Sequence, residues 1–327
     1  MKRWLAQAAP ILHLTRVSSA FAAVGNVWFV ILWTRANDQE LGSDFIEHGS
    51  IWLVLLAGAL AAVGLFAYGV CMNDLLDARR DRATRPERPM PSGQVSVSTA
   101  VTIVAITLIV AVLGAAPFGI EATFLTLVLA MAILLFNGAA KFVPGVGMVL
   151  LGMIYAGHMI LPNIRLQFLW PIWVVLTHCM LVFGVSHALA RKTPKISRRA
   201  IVIASVGWSI SSGAMLIAVW ARPEGQNHPW PEWVPGSAAM WVAALAGLCA
   251  LWCQRRVVAT GVGSRAAEKV WRYGALWLTL YGCGWLFAAG HVGEGAILLG
   301  LAAAGFAGMT MLREWYGLLE APAGYRR

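Results

Sequence analysis

Charge is scarce in this chain, and acidic residues are the scarcest. Only 12% of its 327 residues are charged, whereas a typical soluble domain carries about 25%. The 15 Asp and Glu residues also leave a long gap, since none lies between Glu121 and Glu224. With 59% hydrophobic residues, this composition excludes an ordinary soluble fold and predicts a polytopic membrane protein.

Cysteine is also sparse. The five cysteines lie in apolar segments and form no C-x-x-C pair, so neither a disulfide framework nor a zinc ribbon is expected. The net charge of +10 would suit a nucleic-acid-binding protein, but the basic residues are placed as membrane topology requires, and we expect no nucleic-acid partner. Residues 1–15 lack a signal-peptide cleavage site and are predicted to be a retained interfacial amphipathic segment.

Long hydrophobic runs fill most of the remaining chain. A helix needs about 20 apolar residues to cross the hydrocarbon of a bilayer. On that basis we predict an all-α transmembrane bundle over residues 16–312 with nine to ten spans, followed by a cytoplasmic tail at 313–327. The ten candidate spans are 17–34, 51–71, 96–116, 120–136, 144–161, 171–190, 200–221, 237–254, 270–290 and 294–312.

Lys and Arg residues predict the orientation of the bundle. If the N-terminus is cytoplasmic, all but three of the 25 Lys and Arg residues fall on the cytoplasmic side, the exceptions being Arg35, Arg165 and Arg222. This asymmetry supports the spans, because a missing helix would scramble it. We expect a multi-pass protein of a bacterial inner membrane, with tryptophans such as Trp33 and Trp271 marking the two interfaces.

The densest cluster of charge directly follows the second span. Asn73, Asp74, Asp77 and Asp81 lie at helical spacings that share one face, and five arginines from Arg79 to Arg88 accompany them. Carboxylates on one face repel one another, so a cation is expected between them, and Mg²⁺ prefers such oxygen ligands together with a phosphate oxygen. The arginines can neutralise a phosphate. The cluster therefore indicates a metal–diphosphate site. The alternative, a solvated loop whose charges set topology, explains the arginines but not the spacing of the acids.

These residues form a recognisable pattern. N-D-x-x-D-x-x-x-D at 73–81, followed by R-P-M-P-S-G at 88–93, resembles the first signature of the UbiA superfamily of intramembrane prenyltransferases. Arg16 and Asn26 look like the basic and amide positions of the family's first span. The stretch F-N-G-A-A-K at 136–141 looks like the family's Tyr-x-x-x-x-Lys, with Phe in place of Tyr. The resemblance implies a helical bundle around a central cavity that opens to membrane lipid.

The resemblance also implies a reaction and a set of roles. Family members hold an isoprenyl diphosphate through Mg²⁺, ionise it to an allylic cation and alkylate an aromatic or other lipophilic acceptor. By this resemblance the catalytic residues are Asp77, Asp81 and Lys141, and the Mg²⁺ ligands are Asn73, Asp74, Asp77 and Asp81. The diphosphate-binding residues would be Arg16, Arg88, Lys141, Arg191 and Lys192, and the cavity residues Asn26, Phe136 and His187. Arg16 and Lys141 could instead set topology, and Asn26 could serve helix packing.

The family's second Asp-rich signature is absent. The corresponding stretch, 184–195, contains no acid. Three interpretations remain open. In the first, the diphosphate is neutralised by Arg191, Lys192 and Lys195 in place of a second metal. In the second, His187 is a ligand or a base rather than an interfacial histidine. In the third, the protein binds a prenyl lipid without transferring it.

Three functions therefore compete. The first is a prenyltransferase that joins an isoprenoid diphosphate to a lipophilic, aromatic acceptor. The second is a non-catalytic protein of the same fold that binds or hands on a prenylated lipid. The third, a secondary transporter, would require charge at the membrane midplane, whereas the acids here lie at the cytoplasmic edge. We predict the first function, with the second as the alternative.

Overall fold

Helices account for the regular secondary structure of the computed structural model, which describes residues 20–86, 88–223 and 226–320, with the backbone only for 312–320. Two 3₁₀ turns, Ala116–Phe118 and Ala140–Phe142, lie between helices. The α-helices are α1 (Ala20–Ala36), α2 (Asp44–His48), α3 (Ile51–Thr84), α4 (Val97–Ala115), α5 (Ile120–Gly138), α6 (Pro144–Ile160), α7 (Trp170–Leu189), α8 (Arg198–Trp220), α9 (Ala238–Thr260), α10 (Ser264–Ala288) and α11 (Val292–Glu320).

Each of the ten predicted spans coincides with one long helix. Seven of these helices are long and apolar enough to cross a membrane, namely α3, α4, α5, α7, α8, α9 and α11. Helices α1 and α6 are apolar but have only 17 residues each, and α10 carries four charged side chains within its first nine residues. The all-α transmembrane bundle is therefore confirmed, while the predicted segment 1–15 and Arg16 lie outside the described residues.

The helix of the second span is longer than the span itself, because it continues through the motif. Helix α3 continues past residue 71 to Thr84, because Leu, Ala and Arg residues between the acids favour the helix and no Gly or Pro interrupts it. It ends just before Pro86, whose ring disfavours helical geometry in the preceding residue, and Arg85 indeed has a φ of −149°. Residues 313–320, within the segment predicted as a cytoplasmic tail, continue α11 as helix.

Helices α1, α3, α6, α7 and α10 form the centre of the bundle. Helix α1 contacts α3, α6, α10 and α11, whereas α8 packs mainly on α6 and α9 mainly on α10. Small residues bring the backbones of α3 and α4 together, since a methyl group on Gly64 would clash with Ala111 and one on Gly114 with Ala61. All five cysteines are free thiols, as predicted.

Several connections meet at one end of the bundle, which we call the motif end because it carries Asp81 at the end of α3. Lys141, between α5 and α6, contacts Asp77 there. The loop between α7 and α8 also lies at this end, since the start of α6 packs against Ala200. The turn between α9 and α10 joins them through the ring contact of Trp271 with Phe183 on α7.

The opposite end, which we call the far end, is closed by an aromatic cluster. Trp33 has no exposed surface and stacks on Phe168 at 5.1 Å between ring centroids. Phe168 in turn contacts Trp230 and Trp285. Trp33, predicted to mark a membrane interface, is enclosed within the protein at this end, because the loops that follow α6 and α8 fold over its ring. Trp52, which is 72% exposed, has the accessibility expected of an interfacial tryptophan.

Candidate active site

The four oxygen-bearing side chains of the 73–81 motif lie on the last turns of α3. Asp74 and Asp81 are buried, and Asn73 and Asp77 are half-buried. A carboxylate in such a position, beside hydrocarbon, is costly unless it is paired. The structure pairs every acid of the motif with a basic side chain from another segment.

Arg88 neutralises Asp74 and Asp81 together. Its Nη1 atom lies 3.2 Å from Asp74 Oδ1 and also donates to Asp81 Oδ2. The R-P-M-P-S-G stretch positions this side chain, because the Ser92 amide donates to the Arg88 carbonyl and the Val95 amide to that of Pro89. Gly93 completes the turn with a φ of 78°, a conformation that glycine adopts without strain.

Lys141 neutralises the other half of the motif. Its Nζ atom donates to Asp77 Oδ2 at 2.8 Å and to Asn73 Oδ1 at 3.0 Å. The 3₁₀ turn after α5 carries Lys141 to this position, and Asn137 fastens that helix to α3 by donating to the Gly69 carbonyl at 3.1 Å. Removing either partner of such a buried pair typically costs about 3–5 kcal/mol, because the remaining charge is stranded.

Arg88 differs from the other arginines of the segment. Arg79, Arg80, Arg82 and Arg85 are exposed, whereas Arg88 is turned inward onto the acids. The two explanations offered by the sequence therefore apply to different residues. The four exposed arginines have the placement of topology-setting charges, and Arg88 belongs to the site.

Aromatic rings adjoin this polar cluster. Phe136 and Phe183 meet edge to face at 5.9 Å, and Phe183 also contacts His187 at 5.9 Å and Trp271 at 6.4 Å. Phe183 lies close enough to Gly147, near the start of α6, that a methyl group there would touch its ring. The predicted cavity residues Phe136 and His187 are thus brought together with Phe183 and Trp271.

A narrow crevice between α6, α7 and α10 adjoins this aromatic group at Trp271. Most of its lining is apolar. Asn26, predicted to line the cavity, donates to the Tyr155 carbonyl behind this crevice at 3.3 Å. The lining residues are Leu151, Tyr155, His178, Cys179, Val182, Trp271, Gly274, Ala275 and Leu278.

The acid-free loop between α7 and α8 is folded and pinned. The buried His187 ring bonds the Pro194 carbonyl through Nε2 at 2.9 Å, and because a carbonyl only accepts, this nitrogen is the donor. Arg191 has a φ of 50°, and the Lys192 amide donates back to the His187 carbonyl. The side chains of Arg191, Lys192 and Lys195 are exposed. His187 therefore shapes this basic loop through Nε2.

The motif has an oxygen arrangement that suits a hard divalent cation. Two oxygens, from Asp74 and Asp81, converge on one nitrogen of Arg88, and two others, from Asn73 and Asp77, converge on that of Lys141. Mg²⁺ typically takes one or two carboxylates and completes its shell with water and phosphate. In the described part of the chain, no group of three or more Asp, Glu, His or Cys side chains forms a site from protein ligands alone. The carboxylate and amide oxygens of the motif are donors of the kind that Mg²⁺ accepts alongside a phosphate oxygen.

Comparison with known proteins agrees with this geometry. The UbiA prenyltransferase family matches residues 41–259, more than half of the chain. The chain belongs to this family. A 4-hydroxybenzoate octaprenyltransferase from Polaromonas sp. is 27% identical over 246 residues, covering 69% of this chain and 80% of that protein. A digeranylgeranylglyceryl phosphate synthase from Sulfolobus acidocaldarius is 38% identical over 73 residues, but the match spans 21% of this chain and only a quarter (25%) of that protein.

A solved structure has the same fold. That of a digeranylgeranylglyceryl phosphate synthase superposes with a TM-score of 0.53 and 17% identity, covering 88% of this chain and 99% of that one. This likeness concerns the architecture. The present UbiA-family member is thus an integral membrane protein built as a multi-pass helical bundle.

Sequence reasoning located the polar half of the site in this UbiA-family chain better than its apolar half. Asn73, Asp74, Asp77, Asp81, Arg88 and Lys141 were all predicted and lie together. Phe183 was missed, and Trp271 was assigned to the membrane interface although it lines the crevice. The spacing of Phe183 and His187, four residues apart on one helix face, was an available signal for the first of these.

Proposed function

We propose that this protein transfers an isoprenyl group from a prenyl diphosphate to a lipophilic, aromatic acceptor at the motif end of the bundle. The observation that carries the proposal is the cluster in which Arg88 and Lys141 meet Asn73, Asp74, Asp77 and Asp81. In this cluster, the oxygen atoms that could bind a metal ion are hydrogen-bonded to the basic groups that could bind an anion, and an apolar crevice lies nearby.

Each half of the cluster has a part in the proposed reaction. The oxygens of Asn73, Asp74, Asp77 and Asp81 would hold Mg²⁺, which supplies positive charge against the leaving diphosphate. Arg88 and Lys141 donate hydrogen bonds to the diphosphate oxygens, whose negative charge grows as the allylic C–O bond breaks. The electron pair of that bond leaves with the diphosphate.

The cluster of aromatic rings would stabilise the other product of ionisation, the allylic cation. Trp271 lines the crevice, and ring contacts link it through Phe183 to Phe136. Their ring faces attract a cation, and their apolar bulk keeps water from capturing it. The acceptor then attacks the allylic carbon and loses a proton, which restores its aromaticity.

Release of diphosphate provides the direct test. We expect purified protein in detergent to release diphosphate from one or more prenyl diphosphates only when Mg²⁺ is present. Chelation with EDTA should abolish release, and restored Mg²⁺ should recover it. A complete lack of release across donors of several chain lengths, with a lipophilic phenol as acceptor, would rule out the reaction.

The basic loop takes the place of the second acidic signature in this proposal. Arg191, Lys192 and Lys195 contribute cations that bind the diphosphate directly. We expect their joint replacement by Gln to raise KM for the donor at least about tenfold, since charge-assisted hydrogen bonds contribute roughly 1.5–3 kcal/mol each. Steady-state kinetics would measure this.

A matched control removes the same charge elsewhere at the motif end. Replacing the exposed Arg79, Arg80 and Arg82 by Gln also removes three positive charges. We expect this variant to change KM by less than about threefold, through long-range electrostatics only. Equal effects in the two triple variants would assign the loop a general electrostatic role in place of direct binding.

A second candidate function is binding of a prenylated lipid without transfer. The absence of acids from residues 184–195 favours it, because only one side of the site then supplies metal ligands. This function predicts a stable complex with a prenyl diphosphate or prenylated lipid, detectable by native mass spectrometry, and no diphosphate release.

A further inference from the structure

Arg256, near the end of α9, and Arg272, in the first three turns of α10, form a pair whose positive charge is not neutralised by any described residue. The Arg256 guanidinium stacks over the Trp252 ring at 4.5 Å and also faces the Tyr273 ring at 5.6 Å. The Arg272 guanidinium faces the same Tyr273 ring at 5.4 Å. Over the described side chains, neither guanidinium has a hydrogen bond or a carboxylate within ion-pair distance.

This pair contrasts with the two basic groups of the acidic cluster. Arg88 and Lys141 are held by carboxylates, whereas Arg256 and Arg272 are held by aromatic rings. Glu268 lies one helical turn before Arg272 on α10 but forms no ion pair with it among the described contacts. Stacking fixes the plane of a guanidinium and leaves its N–H edge free to donate. The N–H edges of both guanidinium groups are therefore available to bind an anion that is not part of the described chain.

The surroundings identify the class of anion. Arg256 lies near the end of α9, a helix long and apolar enough to cross a membrane, and Arg272 lies beside it on α10; both are half-buried. Basic and aromatic side chains at the end of such a helix are expected at the headgroup level of a bilayer. Trp252 is 39% exposed, as is typical of a ring at the headgroup level. Lys269 stiffens the turn by donating to Thr260 at 2.9 Å. Phosphate oxygens match the planar fork of a guanidinium in a bidentate manner.

We propose that Arg256, Arg272, Trp252 and Tyr273 form a binding site for the phosphate group of an anionic phospholipid. Arg272 adjoins Trp271, which lines the crevice, so the bound headgroup lies beside the crevice rather than in the acidic cluster. The site is independent of the proposed prenyl transfer and would exist equally in a non-catalytic protein.

Lipid titration tests this site with charge-matched variants. Purified protein would be titrated with phosphatidylglycerol or phosphatidylcholine in mixed micelles, and bound lipid would be counted by native mass spectrometry. We expect phosphatidylglycerol to bind in preference, and Arg256→Gln and Arg272→Gln each to weaken it roughly fivefold, as expected for one basic residue at a membrane surface. Trp252→Leu, which keeps the charge but removes the stacking, should weaken it less, and each variant would first be checked for an unchanged melting temperature.

Arg255 provides the matched control, because it is the exposed neighbour of Arg256 and has no ring contact. Arg255→Gln should leave phosphatidylglycerol affinity within about twofold of the wild type. Equal losses in Arg255→Gln and Arg256→Gln would overturn the site in favour of diffuse charge attraction. Full competition by inorganic pyrophosphate would overturn the lipid assignment in favour of a soluble anion, and retained binding in the Arg256→Gln/Arg272→Gln double variant would overturn it entirely.

Discussion

Replacing Asp77 by Asn should reduce Mg²⁺-dependent diphosphate release by about 10²–10³-fold, the effect typical of removing one preorganised electrostatic group from an active site. Asp77 is the acid that accepts from Lys141 at 2.8 Å. The amide keeps the size of the side chain but removes its charge, so both the cation site and the orientation of Lys141 are weakened. Initial rates at saturating Mg²⁺ and donor would measure the loss.

The control for this variant lies at the far end. Asp38 is an exposed carboxylate on the loop after α1, and Asp38→Asn should leave the rate unchanged. Melting temperatures of both variants within a few degrees of the wild type would separate a lost function from a lost fold. A rate above one tenth of the wild-type value for Asp77→Asn would remove Asp77 from the catalytic machinery.

Replacing Glu40 by Ala should lower the free energy of unfolding by about 3–5 kcal/mol, because it strands several buried donors at once. Glu40 accepts from Trp33 Nε1 at 3.1 Å and from the amides of Gln167 and Phe168 at 2.7 and 3.0 Å. It therefore ties the loop after α1 to the loop after α6 beneath the aromatic cluster. A melting temperature recorded at a fixed scan rate in detergent would report the loss.

Glu47 supplies a comparison on the same loop system. It is exposed and accepts one hydrogen bond, from the Gly42 amide at 2.8 Å. Glu47→Ala should cost no more than about 1 kcal/mol, the usual net contribution of a single hydrogen bond. If the two variants melt at the same temperature, Glu40 does not hold the far end together.

Glu40 should also contribute to the pH dependence of the protein's stability. Burial raises the pKa of Glu40 above its usual 4.5, against the lowering effects of its hydrogen bonds and of Arg222. A raised folded-state pKa means that the folded chain binds the proton more tightly, so this contribution is fully present below pH 4.5 and is lost as pH rises through the folded pKa. Relative to Glu40→Gln, the wild-type melting temperature should fall over that window; a constant difference would contradict the assignment.

Hydropathy and charge placement predicted most of the fold. They located all ten long helices, because a span needs a run of apolar residues whatever its neighbours are. They could not predict that Trp33 is enclosed, since an interfacial tryptophan and one covered by a loop have the same local sequence. The interior position of Trp33 depends on Phe168, which is more than a hundred residues away in the chain.

The candidate site also contains residues that the sequence predicts and contacts that depend on the folded chain. The acids were predictable because their spacing follows the helix period, and Lys141 because it matches a family position. Arg88 was distinguished from the four exposed arginines by the resemblance, whereas its contact with Asp74 and Asp81 appears only in the folded chain, where the turn ending at Gly93 directs it inward. The spacing of Phe183 and His187 places both on one helix face, but the packing of Phe183 against Gly147 of α6 depends on the folded bundle.

The unbroken course of α3 determines how deep the motif lies. Its 34 residues measure about 51 Å at 1.5 Å per residue, whereas the hydrocarbon is about 30 Å thick. Asn73 follows Ile51 by 22 positions, or about 33 Å along the axis, so the first motif oxygen stands just beyond the acyl chains. In the proposed reaction, a prenyl diphosphate whose chain lies in the bilayer would present its phosphates at the level of these acids. The motif would then set no limit on the length of that chain, which the bilayer would accommodate.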